Sequence, residues 1–155
     1  MPGMLTPWRC GRTTVSGAAG RPTLRRRNGD RAEVLAVAHL SEMGWTILAT
    51  GLRIGRDEVD ILALDPGPRG ELVVIEVRSH TTGRFGTPEE SVDAAKVRRL
   101  YRAVGALRSA GCLPDGRILP RHPWRVDLIA VEMWPRLSAE LGGPVIRHLR
   151  HLEPG

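Results

Sequence analysis

Asp60 and Glu76 sit on either side of a Pro/Gly-rich break in the stretch from Glu58 to His80. The flanking segments, E-V-D-I-L-A-L and L-V-V-I-E-V-R-S-H, are rich in Val, Ile and Leu, the pattern of two strands joined by a longer loop. If the turn centres on Pro68, Leu64 faces Leu72, Leu62 faces Val74, Asp60 faces Glu76 and Glu58 faces Arg78. Directly opposed side chains have Cβ atoms about 4.5–5.5 Å apart, and like charges there destabilise a sheet. Two carboxylates held that close on a mostly apolar face call for a proton or a cation. Hard divalent cations such as Mg²⁺ take oxygen sites of this kind. A register slip by two keeps these residues on one face, and a slip by one breaks the arrangement.

The elements around this hairpin must position the pair. Side chains alternate along a strand, so Val59, Ile61, Ala63, Val73, Ile75 and Val77 form one apolar face. Glu58, Asp60, Leu62, Leu64, Leu72, Val74, Glu76 and Arg78 form the other. Upstream, a helix is predicted from Asn28 to Met43, capped by Asn28 or Asp30 and stopped at Gly44. Its inward stripe is Ala32, Leu35, Ala36, Leu40 and Met43. Glu33 and His39 border that stripe. The bland alternative for Glu33 is a solvated flank, and for His39 a partly buried, hydrogen-bonded ring.

Trp45 to Ile54 reads as the first strand. After the hairpin, a polar loop at 79–86 leaves the charged strand end. Thr87-Pro88-Glu89-Glu90 is a capping box with proline in its favoured place, opening a helix from 88 to about 109. Its stripe is Val92, Ala95, Lys96, Leu100, Ala103, Val104 and Leu107. Lys96 is the only lysine in the chain; it either reaches inward or snorkels to the rim. A Gly/Pro-rich loop at 111–123 leads to a strand from Arg125 to Met133, and a short edge strand fits 144–152. Asp127 is expected to pair with Arg125 or Arg53.

The composition sets bounds. A chain of 155 residues makes one domain with a real core. No apolar run reaches the length of a membrane span. Two cysteines without C-x-x-C spacing argue against a disulfide framework or a cysteine zinc site, and a reducing cytoplasm fits. The net charge of +6 is uneven: six arginines and no acid precede Asn28, leaving 17 basic against 17 acidic residues. Residues 1–24 read as a disordered basic arm, and 25–155 as the domain. A basic arm suits a polyanion such as nucleic acid, or is simply a solvated tail. No G-x-G-x-x-G or Walker loop is present.

Several motifs in order resemble the YraN-like family of bacterial proteins, grouped with Holliday-junction-resolvase-like members of the PD-(D/E)XK nuclease superfamily. Ala32-Glu33-Val34-Leu35-Ala36 stands at the family's G-x-x-G-E-x-x-A. R-I-G-R-D-E-V-D-I-L (Arg53–Leu62) stands at N-x-R-x-x-x-G-E-I-D-L-I, and V-I-E-V-R (Val74–Arg78) at V-F-V-E-V-K-x-R. Phe85-Gly86-Thr87-Pro88, Lys96 and Arg125-Val126-Asp127 complete the series, which covers about residues 26–134. The resemblance implies an α/β, restriction-endonuclease-like fold, a mixed central sheet flanked by helices in α-β-β-β-α-β order. It implies a metal-dependent endonuclease hydrolysing phosphodiester bonds, with DNA favoured over RNA and branched DNA one candidate substrate. Mg²⁺ (or Mn²⁺) would be held by Asp60 and Glu76, with Glu33 as the helical acid. Asp60, Glu76, Arg78 and Lys96 would be catalytic, and Arg53, Arg84 and His80 would contact nucleic acid. A cytoplasmic homodimer would suit cutting of two strands.

Three departures stand out. Asp57 replaces the glycine before E-x-D, Arg78 replaces the E-x-K lysine, and His80 replaces the following basic residue. Arginine binds phosphate well but cannot take a proton. One reading gives Arg78 the electrostatic role and lets Lys96 supply the lysine from the helix. A second reading is a non-catalytic nucleic-acid-binding module of the same fold. A third is a structural ionic cluster of Glu58, Asp60, Glu76 and Arg78, in which three acids outnumber one arginine.

Overall fold

The computed structural model describes residues 24–80, 92–133 and 143–155, with side chains in the first helix described from Gly29 on. The basic arm, Arg84, most of the 79–86 loop and the Thr87–Glu90 capping box therefore lie outside the described residues. The elements run α1 (Leu24–Glu42), β1 (Thr46–Ile54), β2 (Asp57–Leu64), β3 (Leu72–His80), α2 (Ala94–Ala110), β4 (Trp124–Glu132) and β5 (Val145–Leu149). This is the expected α/β order with the short edge strand added.

Helix α1 begins before the predicted caps, so Asn28 and Asp30 lie inside it. Arginine is a good helix former, and one interior glycine costs only about 1 kcal/mol. Ala32, Ala36 and Leu40 are buried as predicted, but Met43 is exposed because the helix ends at Glu42. The end is a Schellman motif: Gly44 adopts φ 86°, its N–H bonds Ser41 O, and the Trp45 N–H bonds Leu40 O. That turn aims Trp45 back under the helix and starts β1.

The five strands lie in sequential order. β1 and β2 pair antiparallel through the two-residue turn Gly55-Arg56, with Gly55 at φ 60°. Glycine in the first central position suits a twist-matching hairpin turn. β3 and β4 pair in parallel, which requires a crossover, and α2 supplies it. β5 closes the edge antiparallel to β4.

The two helices cover opposite faces. Ala32, Ala36 and Leu40 of α1 pack on Ile61, Ala63, Val73, Ile75, Ile129 and Val131. Leu100, Ala103, Val104 and Leu107 of α2 pack on Val59, Leu62, Val74 and Val126. A sheet covered on both sides explains why β3 and β4 read as almost continuous apolar runs.

Two expectations need correction. Val59 belongs to the α2-side core and not to the face of Ile61 and Ala63, so simple alternation fails between Val59 and Ile61. The reason is visible in the pairing, because β2 leaves β3 at that point. Second, Val92 and Asp93 are not helical, and α2 starts at Ala94. Asp93 caps it in an extended conformation (φ −77°, ψ 160°), its carboxylate accepting the Lys96 N–H at 2.7 Å. Aspartate caps as well as threonine does, and Asp93 stands next to the apolar run that the helix buries. Cys112 is fully buried, and Cys10 lies outside the described residues.

Candidate functional site

The β2–β3 ladder follows the predicted register from Leu64–Leu72 through Ala63–Val73 and Leu62–Val74 to Ile61–Ile75, and stops there. Asp60 and Glu76 are the next residues out. The Val77 N–H bonds the Asp60 carboxylate at 2.8 Å instead of a strand backbone. The second strand thus parts from the third where the charged residues begin, and one side chain fills the opening. The expected Glu58–Arg78 opposition falls beyond the ladder; Glu58 pairs with Arg53 of β1 instead.

Side chains from α2 and β3 meet at this opening. Lys96 Nζ lies 3.3 Å from Glu76 Oε2, and Arg78 Nε lies 3.3 Å from Glu76 Oε1. Lys96 combines the two sequence readings: it sits at the rim of the buried stripe, and its head turns in to the acid. From the other layer, Glu33 of α1 is close enough to feel the charges of Asp60, Asp30 and Glu58. Glu33, Glu58, Asp60 and Glu76 make four acids against Arg78 and Lys96.

The electrostatics follow from that excess. Burial, then the neighbouring Asp60 charge, push the Glu76 carboxyl up to about 7. Burial, then Asp60, do the same to Glu33, also to about 7. Asp60 is raised by burial, partly offset by the Val77 N–H and by Lys96. Protons are therefore retained at this centre near neutral pH.

Glu76 Oε2, Arg78 Nε and His80 Nε2 are buried without a hydrogen-bond partner. The contacts of Glu76 with Lys96 and Arg78 are ion pairs whose alignment falls short of hydrogen bonds. All three residues alternate on β3 and share a face. A buried polar group without a partner is rare and costs free energy, so this row suits a polar or ionic ligand. Among the described residues no three His, Cys, Asp or Glu side chains form a metal cage. Asp60 and Glu76 bear on one another electrostatically, and Glu33 stands in electrostatic reach of Asp60, not in a formed three-acid set.

Asp127 is not part of this centre. As the sequence suggested, it pairs with Arg125, at 2.9 and 3.1 Å. The sequence reading missed the rest of that network. Arg125 also bonds Asp65 at 2.7 Å and Glu71, Asp127 meets His148 Nε2 at 2.8 Å, and Trp45 stacks under the guanidinium at 5.6 Å. This network ties the hairpin loop to β4 and β5. Also missed were Arg98, Arg99 and Arg102, although their spacing along a helix places them on one stripe. With Arg56 and Asp57 they line a shallow cleft of about 470 Å³ beside the start of β2. Arg53, expected to contact nucleic acid, is exposed on β1. No helix among the described residues is long and apolar enough to cross a membrane.

Comparison with known proteins matches residues 32–131, more than half the chain, to the family described as "Uncharacterised protein family UPF0102". A UPF0102 protein of Symbiobacterium thermophilum is 36% identical over 72% of this chain and 87% of its own length. One of Moorella thermoacetica is 44% identical over 69% of this chain and 82% of its own. One of Sorangium cellulosum is 42% identical over 58% of this chain and 62% of its own, so the match spans under two thirds of that relative.

Proposed function

We propose, on the premise that this chain belongs to the uncharacterised protein family UPF0102, that it binds nucleic acid and hydrolyses phosphodiester bonds with a divalent metal ion at Asp60 and Glu76. The observation that carries the reading is the meeting of Asp60, Glu76 and Lys96 where β2 and β3 part.

The residues fit such an ion. Glu76 has a buried oxygen without a hydrogen bond, acids outnumber cations, and the donors are all oxygen. Mg²⁺ keeps several waters and is usually held by one or two carboxylates plus substrate phosphate, so Asp60 and Glu76 suffice as protein ligands. When bound, the ion supplies Lewis-acid polarisation of the phosphate and lowers the pKa of a water. Lys96 and Arg78 hold the Glu76 carboxylate from two sides and present positive charge where charge develops on the phosphate. Arg78 stays protonated and binds phosphate oxygens. Glu33, titrating near 7, can hold or release a proton at neutral pH. His80, at the end of β3, carries a buried Nε2 without a hydrogen-bond partner that can receive a polar group of the substrate.

The replacement of the expected strand lysine by Arg78 favours a second reading, nucleic-acid binding without turnover. One series of measurements separates the two. Titration of the chain with Mn²⁺ by calorimetry, with Asp60→Asn as control, tests for the metal site. Incubation with branched and duplex DNA then tests for cleavage. Metal binding and cleavage, both lost in Asp60→Asn, support the hydrolytic reading. Metal binding without cleavage supports the second, and no metal binding overturns the centre itself.

A further inference from the structure

The arginine cleft lies outside the acidic centre but is built from the same elements. Its floor is fixed by a bidentate contact: Arg102 Nε and Nη2 donate to Asp57 at 2.8 and 2.6 Å. Asp57 is buried, and it is the residue that stands where the resembled motif has glycine. Arg56 occupies the tight β1–β2 turn, which gives its backbone little freedom. Arg98 and Arg99 project from α2 into the same cleft. All four arginines are exposed. Among the described residues, Arg56, Arg98 and Arg99 have no ion-pair partner within salt-bridge distance. One carboxylate thus faces four guanidiniums, and the cleft keeps an excess of three positive charges.

Its position relates it to the site. Asp57 precedes Asp60 by three residues on β2, about 10 Å at strand rise. Arg99 follows Lys96 by about one turn of α2. The cleft therefore adjoins the acidic centre along both β2 and α2, within reach of neighbouring phosphates of one nucleic-acid strand. Guanidinium groups held in place bind phosphate oxygens in bidentate fashion.

We propose that this cleft is a phosphate-docking track, in which Arg56, Arg98 and Arg99 receive the backbone of a nucleic-acid strand beside the bond presented at Glu76. The proposal rests on the nucleic-acid reading above and adds the direction in which the strand leaves the centre. Asp57 acts through Arg102, holding one wall of the track in shape. Because the contacts are to phosphate, they carry affinity and register but no base preference.

The test measures binding of a fluorescein-labelled 30-base-pair DNA duplex to the full chain by anisotropy, in EDTA, across a salt series. Each phosphate contact contributes about 0.9 to the slope of log K against log salt. Replacing Arg98 and Arg99 together by alanine should lower the slope by about two and weaken binding about tenfold or more at low salt. Arg99→Lys should keep the slope, and Arg121→Ala, an exposed arginine elsewhere, should change nothing. Unchanged melting of the double variant confirms that its fold is intact. A parent that binds duplex and ignores the double change overturns this proposal alone. A parent that binds no nucleic acid overturns it together with the proposed function. Binding through the arginines without cleavage supports the track and removes only hydrolysis. Arginine-dependent binding to phosphatidylglycerol vesicles, with DNA binding unaffected by the substitutions, assigns the cleft to another partner and overturns it.

Discussion

The Lys96 ammonium lies 3.3 Å from the Glu76 carboxylate, one brought by a helix and the other by the strand beneath it. A strand lysine two residues after Glu76 is replaced by Arg78, yet a lysine still reaches this acid, from another element. On the hydrolytic reading, Lys96→Ala should lower kcat about 100-fold or more, the usual loss when one charge-stabilising donor is removed, while Mn²⁺ binding persists. Arg78→Lys should retain cleavage. A Lys96→Ala variant that cleaves like the parent removes Lys96 from the mechanism.

The raised carboxyls predict how stability varies with pH. Glu76 titrates near 7 in the folded chain against an ordinary 4.5, and Glu33 shifts the same way. Between those values the folded state binds more protons than the unfolded state, so stability falls as pH rises. The contribution is full below 4.5 and lost through about 7. Asp57, Asp65 and Asp127, held low by arginine and other hydrogen-bond donors, act below 3.8 and outside that window. In EDTA, the urea midpoint should drop from pH 5 to pH 7.5, and Glu76→Gln should flatten the drop. A parent midpoint that rises across the window contradicts the electrostatic picture.

Metal binding should show the same protons from the other side. Ligands must be deprotonated to bind, so affinity rises with pH and protons are released. Mn²⁺ titrations at pH 6 and pH 8, each in two buffers of different ionisation enthalpy, should give tighter binding and fewer released protons at the higher pH. Equal affinity at both values would mean that the carboxyls are already ionised.

Arg125 should matter for stability and not for chemistry. It is buried against Asp65, Glu71 and the fully buried Asp127. Arg125→Met keeps the volume but leaves these acids unneutralised, and removal of one partner from a buried ion pair costs about 3–5 kcal/mol. The expected result is a large fall in the urea midpoint. A variant as stable as the parent would show that the network is dispensable.

Much of this was readable from residue types. The hairpin register followed from Leu62, Leu64, Leu72 and Val74, because burial on one face leaves little choice of pairing. The same logic failed at Val59. Alternation describes a strand that keeps its partner, and β2 loses β3 at Asp60. Whether Lys96 turned in or out was open in the sequence because a helix rim allows both; the charge of Glu76 decides it. The Arg125 network was half legible, since Arg125 and Asp127 are strand neighbours on one face. Asp65, Glu71 and His148 come from a loop and a distant edge strand, and only the tertiary fold unites them. The Asp57–Arg102 pair was hidden for the same reason.

The parallel pairing of β3 with β4 has a consequence for assembly. Leu64 meets Leu72 across a short turn, whereas Leu72 meets Trp124, 52 positions along the chain (72 to 124). Closing the longer loop costs about 1.6 kcal/mol more in chain entropy, and non-local pairing of this kind is slow. The local meander of β1, β2 and β3 is therefore the cheaper part of the sheet to close. Of the two cations at Glu76, Arg78 comes with the hairpin itself, whereas Lys96 comes only with the crossover helix.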